Sequence, residues 1–266
     1  MCHLHTFKDI INKTILNSEN KNKALELNPN VSVDCVIFGF DFDQLHCLLI
    51  DSGLSKSTGR SRLAVPGDLI YDNETHDEAA NRVLKELTGI DNIYLEQVGA
   101  FGDPNRMGKE SDKEWLKSMR AEPDARVITV AYFSLVKMND FNPEASSFAE
   151  SAGWAPIKEI DELAFDHYEI LQCALKQLKR KIKIQPIGFN LLPQKFTLSQ
   201  LHKLYESILN KPLDKRNFRR KILNLQILTP LNEKQIGVPH KPSQLFEFNE
   251  ENYQKLSSEG FDNFGF

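Results

Sequence analysis

Apolar residues recur along this chain with two periods. VSVDCVIFGF (31–40) and QLHCLLID (44–51) are apolar, β-branched runs joined by DFD, the pattern of a hairpin. IYLEQVGAFG (93–102) and ARVITVAYFSLVKM (125–138) read as two further strands. Between these pairs the spacing becomes helical: Ala80, Val83, Leu84 and Leu87 fall at i, i+3, i+4 and i+7 on a helix from about His76 to Thr88. Thr75 and Glu78 have the spacing of a capping box at its start. Gly89 stands where a left-handed C-terminal residue belongs. Further helices are expected around Phe7–Leu16, near SDKEWLKSMR inside a long polar insert, and over HYEILQCALKQLKRKI (167–182). SGLSKSTGRS (52–61) is a loop, and LAVPGDLIYDNE leads through a turn into the capped helix.

Beyond Pro186 and Pro193 the pattern changes to helix (Thr197 to about Asn210), helix (Asp214 to about Asn224), and two short strands, ILTPL (227–231) and SQLFEF (243–248), around the loop NEKQIGVPHKP. That order is the order of a winged helix-turn-helix. The expected organisation is an N-terminal arm (1–30), a first domain (31–185) and a C-terminal domain (186–266).

With 266 residues, 41% of them hydrophobic and 26% charged, the chain has enough apolar content to bury a core, which excludes wholesale disorder. No apolar run approaches the roughly 18 residues needed to cross a bilayer. The start, MCHLHTFKDIINK, lacks the features of a secretory signal. Cys2, Cys35, Cys47 and Cys173 are scattered, which argues against a zinc knuckle or a disulfide framework. With His46 they read as strand packing, in a reduced, cytoplasmic protein. The net charge of −4 hides an asymmetry: Lys195–Leu245 carries ten Lys/Arg and three acids, so this segment is +7 and the remainder −11. An anionic partner, nucleic acid first, suits such a module, although a solvated basic face explains charge alone equally well.

Residues 67–90, GDLIYDNETHDEAANRVLKELTGI, resemble the Nudix box, G-x5-E-x7-R-E-U-x-E-E-x-G-U with U aliphatic. Glu74, Arg82, Leu84, Glu86, Gly89 and Ile90 match; Asp68 takes the first Gly position, with Gly67 before it, and Val83 and Leu87 replace two glutamates. The resemblance implies an α+β fold, a Nudix-type α/β/α sandwich with a mixed sheet. The family's hydrolases cleave linked diphosphates with Mg²⁺, a hard cation that needs several oxygen ligands. Glu86 alone remains of the three helix carboxylates, so the expectation is no catalytic residue, no resident metal and no cofactor. Arg82 and Glu86, at i, i+4, also suit a structural ion pair.

This box, together with LEQVGAFGDPNR, ARVITVAYFSLV, LAFDHYEIL and LLPQKFTLSQLHKLYESILNKPLDKRNFRRKIL, is similar to the Nudix-related transcriptional regulators of bacteria over about residues 31–248. These couple a ligand-sensing Nudix domain to a winged helix, and include regulators that sense ADP-ribose and regulators of sugar use. The RVLxELTG form of the box looks closer to the sugar-responsive branch. The resemblance implies a regulator that binds double-stranded operator DNA and a sugar or nucleotide-sugar effector. The alternative is a Mg²⁺-dependent hydrolase of ADP-ribose or a related nucleoside diphosphate sugar.

In DKRNFRRKILN, Phe218, Ile222 and Leu225 form an apolar stripe, while Lys215, Arg216, Arg219 and Arg220 fall largely on other faces, free to meet bases or phosphates unless one pairs with Asp214 or Glu206. Asn217 and Lys221 are further DNA candidates, as are Lys234, His240 and Lys241 in the wing. Thr197 and Gln200 have capping-box spacing, and Thr197 or Ser199 is placed to meet a phosphate at a helix start. Phe101, Asp103, Arg106, Arg126 and Glu86 are candidates for lining the effector pocket, with a loop ion-pair network as the bland alternative. His167 reads as a helix-start capping or packing residue, and Trp154 as core. A homodimer on a pseudo-palindrome is expected, with Ile170, Ala174 and Leu178 either at the dimer contact or packed on their own domain.

Overall fold

A computed structural model describes residues 26–54, 61–145, 147–239 and 241–260. The expected helix at Phe7–Leu16, Cys2, most of the loop 52–61, and His240 lie outside these residues. Five strands form one continuous path, β3 (Ser61–Ala64), β2 (Leu45–Leu54), β1 (Leu27–Phe40), β6 (Ile128–Lys137) and β5 (Glu96–Phe101). β4 (Gly67–Tyr71) also pairs β1, and β7 (Ser151–Pro156) pairs β2, completing a seven-stranded sheet. β1 and β6 run parallel and the other pairs antiparallel, so the sheet is mixed.

Why both faces of the sheet are covered is visible in β1. Its apolar residues do not alternate with polar ones: Val33, Cys35 and Ile37 point to one layer, and Val36, Phe38 and Phe40 to the other. The first layer is α1 (His76–Thr88), whose Ala80, Val83, Leu84 and Leu87 are all at most 1% exposed. Its capping box forms through Thr75 and Glu78, and Gly89 closes it at φ 71°, a conformation that only glycine adopts without cost. The second layer is α3 (His167–Ile184), which buries Ile170, Leu171, Ala174, Leu178 and Ile182.

α3 leads through a buried turn at Phe189 and Leu191 to α4 (Leu198–Leu209), α5 (Lys215–Asn224), the hairpin β8 (Leu228–Lys234) and β9 (Gln244–Phe248), and α6 (Glu250–Glu259). Thr197 and Asp214 cap α4 and α5 through their side chains. His202 and Tyr205 of α4 meet the Phe218 ring edge-on at 5.0 and 5.2 Å. Phe196 and Phe246 exchange backbone hydrogen bonds of 3.0 and 2.8 Å, tying the entry of α4 to the wing. One apolar cluster runs from Val36 and Phe38 through Leu178 to Leu201, Phe218 and Ile222.

Several expectations are corrected. β3 and β4 are strands in a stretch read only as leading through a turn into the capped helix, β7 is a strand where no element was assigned, and β1 starts at Leu27, four residues before the strand expected from 31. α6 was not foreseen, because its Glu250 and Glu251 start a mostly polar helix of low apolar contrast. Cys173 lies on a helix rather than a strand. Ile170, Ala174 and Leu178 are 0% exposed inside their own chain, which removes them as dimer contacts.

Because Leu178 sits in the apolar cluster shared by sheet and winged helix, Leu178→Ala should cost about 2–5 kcal/mol. Denaturant unfolding followed by fluorescence and by circular dichroism should show one coincident transition; two separated transitions would contradict the shared core.

Candidate functional site

Two surfaces carry chemistry. The first is α5 and the wing. Phe218 and Ile222 are buried against α4, which turns Lys215, Arg216, Arg219 and Arg220 to solvent. Asp214 spends its carboxylate on the Asn217 backbone N–H (2.7 Å), and Glu206 accepts from the Leu213 N–H (2.9 Å). Neither takes an arginine, and among the described residues Lys215, Arg216 and Arg219 make no ion pair. Arg220 donates to Asn217 Oδ1 at 2.8 Å, so Asn217 orients a cation as well as helping to start the helix. Lys234 and Lys241 are exposed in the wing. Thr197 is corrected: it is 2% exposed, and its hydroxyl is consumed by Gln200, leaving exposed Ser199 as the residue at that helix start open to a phosphate.

The second surface is the face of the sheet beside α1. Arg82 stacks over the Tyr71 ring at 4.2 Å, grips Glu74 with two nitrogens, and pairs with Glu86 at 2.9 Å. Val83 and Leu87 are sealed in the core and offer no oxygen. These residues do not fit a divalent cation, which needs several free carboxylate oxygens. Among the described residues, no group of three or more His, Cys, Asp or Glu is placed to hold a metal.

Beside this helix lies a buried polar network. Asp34, in the middle of β1, is 3% exposed and meets Arg106 at 3.1 Å and His167 Nε2 at 3.3 Å. Arg106 also donates two bonds to Asp166, of 2.9 and 2.7 Å. The Val65 backbone N–H donates to His167 Nδ1 at 3.2 Å, leaving the ring proton on Nε2, facing Asp34. Burial alone would raise the Asp34 carboxyl, but the partnership of His167 and Arg106 holds it well below the ordinary carboxylate range. Gly67 is required here, since a Cβ would lie 2.0 Å from Asp34 Oδ1. This is why a glycine precedes Asp68 in the box. His167 therefore neither caps its helix nor packs passively.

The effector candidates separate. Arg106 is buried in the network, while Asp103 is exposed and caps the turn leading to it through the Asn105 N–H. Arg126 is exposed and bonded to the Gly102 carbonyl at 3.2 Å, and Phe101 packs against the α3 side of the sheet. Glu86 is held by Arg82. Sequence reading missed Asp34, Asp166, Trp115 and Arg120. Asp34 was detectable as a lone charge inside an apolar strand.

Family models match twice: the NUDIX domain over residues 28–173, and the NrtR DNA-binding winged helix domain over residues 188–248. The chain is 30% identical over 230 residues to the ADPR responsive transcriptional repressor NtrR of Acinetobacter baylyi, covering 85% of this chain and 84% of that one. It is 26% identical over 160 residues to the ADP-ribose pyrophosphatase of Methanocaldococcus jannaschii, covering 60% and 81%. The fold matches that of Shewanella oneidensis NrtR crystallised with a 27mer DNA, with a TM-score of 0.63, 22% identity, and coverage of 84% of this chain and 95% of that one. Among the described residues no helix is long and apolar enough to cross a membrane.

Since the folded Asp34 carboxyl is lowered, the stability it contributes is complete above about pH 4 and declines as pH falls through the folded value. Asp34→Asn should cost about 3–5 kcal/mol at neutral pH, as expected for breaking a buried pair, and should flatten the acid limb of a plot of unfolding free energy against pH. An equal acid slope in parent and variant would count against the network.

Proposed function

We propose that this chain, which belongs to the NUDIX domain family and carries an NrtR DNA-binding winged helix domain, is a transcriptional repressor responsive to ADP-ribose. The observation that carries this reading is the 30% identity to the Acinetobacter regulator, spread over both domains and 84% of that protein. A metabolite with a nucleotide and a sugar satisfies the broader expectation of a sugar or nucleotide-sugar effector, and the named relative favours ADP-ribose over a free sugar.

The chemistry of each half supports the assignment. Exposed, unpaired Lys215, Arg216 and Arg219 on a short helix propped on α4 suit a recognition helix in a major groove. Arg220, oriented by Asn217, and Lys241 in the wing suit phosphate contacts. On the Nudix side, Arg82 pairs with both Glu74 and Glu86, and apolar side chains stand where two glutamates of the hydrolase pattern would be. The domain serves as a sensor rather than a hydrolase in this reading. Two copies acting on two half-sites supply the affinity that one small winged helix lacks.

Titrating the full chain against the DNA upstream of its own gene cluster should give a specific complex that ADP-ribose weakens or strengthens by roughly 5–150-fold. Arg219→Ala should weaken the complex by about 1–3 kcal/mol if it reads a base, with effector binding unchanged. Steady, Mg²⁺-dependent ADP-ribose hydrolysis abolished by Glu86→Gln would replace the sensor reading with the hydrolase one.

A further inference from the structure

The segment between β5 and β6 carries α2 (Glu110–Met119), and side chains at and after this helix leave hydrogen-bonding capacity unused among the described residues. Trp115 is 2% exposed, yet its Nε1 meets no hydrogen-bond partner. Arg120, which follows α2, has its Nε equally buried and without a partner among the described residues, where its side chain makes a weak contact of hydrogen-bond type, from Nη1 to the Met107 sulfur at 3.8 Å. Both residues line the same pocket, along with Asp34, Gly67, Arg106 and His167. Indole N–H and guanidinium are donors without acceptor capacity, and leaving such donors buried without an acceptor is unfavourable.

The distribution of charge separates Arg120 from Arg106. Arg106 spends its donors on Asp34 and Asp166, whereas Arg120 makes no ion pair among the described residues. Burial pulls Arg120 below its ordinary value, with Asp68 and Asp34 opposing that pull from a distance. One further observation marks the pocket wall as strained. Phe165, whose ring lies tilted against Trp115 at 5.3 Å, holds φ 58°, a left-handed conformation unusual for a bulky side chain, two residues before the start of α3.

We infer that Trp115 and Arg120 form a site for a phosphoryl group, the phosphate portion of a nucleotide-sugar effector, beneath α2. The ADP-ribose part of this inference rests on the proposed function; the phosphoryl part rests on the two unused donors and the unpaired guanidinium. Arg120 supplies the charge and Trp115 a directed N–H, a pairing in which a phosphoryl oxygen satisfies both. The void now enclosed is about 20 Å³, room for about one water, so a phosphoryl group enters only as α2 moves outward. Entry then reaches the wall that Phe165 and His167 share with the start of α3.

The chain has two tryptophans, so in a Trp154→Phe background Trp115 reports alone. Titrating this full-length protein with ADP-ribose or with ribose 5-phosphate should give a saturable change in Trp115 emission, and adenosine should give none. Calorimetry should show Arg120→Gln weakening ADP-ribose binding by roughly tenfold or more, the loss of a hydrogen bond to a charged group. Trp115→Phe, which keeps the ring and removes the N–H, should weaken it several-fold and provides the test if Arg120→Gln fails to fold. If ADP-ribose alters operator binding but neither substitution changes its affinity, the site is wrong and the sensor reading stands. If ADP-ribose does nothing while ribose 5-phosphate still needs Arg120, the site stands and the ADP-ribose reading falls. Equal responses to adenosine and ribose 5-phosphate would overturn the phosphoryl assignment.

Discussion

Arg106 is the tie that fixes loop, sheet and helix start within the Nudix domain. It is a charge carried by the loop after β5, held between Asp34 at the centre of the sheet and Asp166 at the start of α3. A buried cation among carboxylates gains little net stability over a well-packed apolar substitute, because desolvation consumes most of the Coulomb attraction. Its value is geometric. A guanidinium with fixed donor directions that must satisfy two carboxylates allows one register of loop, strand and helix start. His167 adds a second direction by bridging Asp34 and the Val65 backbone. Gly67 supplies the space that lets the carboxylate lie against the sheet.

The helix of the Nudix box shows the same economy in a different form. Val83 and Leu87 extend the buried face of α1 into a continuous stripe with Ala80 and Leu84, anchoring it on the strands of the first layer. Glu74 and Glu86 remain, but both bond to Arg82, whose third partner is the Leu69 carbonyl. The Arg82–Glu74 contact ties the turn between β4 and the helix to the helix itself. Sequence identity at Glu74, Arg82 and Glu86 carries no implication of free ligand oxygens, since each of those side chains already has a partner.

Local rules made much of this legible. Both capping boxes, Gly89, the α1 stripe and the α5 stripe follow from spacing within one or two turns, and the structure keeps them. β4 and β7 were illegible for a physical reason: they are short, and each draws its stability from pairing with a partner distant in sequence rather than from its own pattern. The polar network was legible only as a loop ion-pair network at Arg106, because its partners Asp34 and Asp166 lie 72 and 60 residues away. Trp115 and Arg120 lie in a stretch that reads as a polar insert, and nothing in their spacing reveals that one buries an N–H and the other a guanidinium. Thr197 shows the opposite error: a hydroxyl at a helix start looks available until its capping partner occupies it.

How an effector could act on DNA binding is constrained by packing. α3 is no free lever, because Ile170, Ala174, Leu178 and Ile182 are fully buried and the same apolar cluster continues into α4 and α5. Loosening that core is costly, at about 2–5 kcal/mol for one large truncation. Coupling between sites typically amounts to about 1–3 kcal/mol, the scale of one or two hydrogen bonds to a charged group. The polar contacts that join the pocket to the start of α3 are those from Arg106 to Asp166 and those of His167 with Asp34 and the Val65 N–H. Closely packed helices accommodate such changes by sliding as units, not by melting. A ligand seated on Trp115 and Arg120 lies in the pocket that Arg106 and His167 also line, so it reaches α3 through their contacts, and the apolar cluster that α3 shares with α4 and α5 joins it to the helix that presents Arg216 and Arg219.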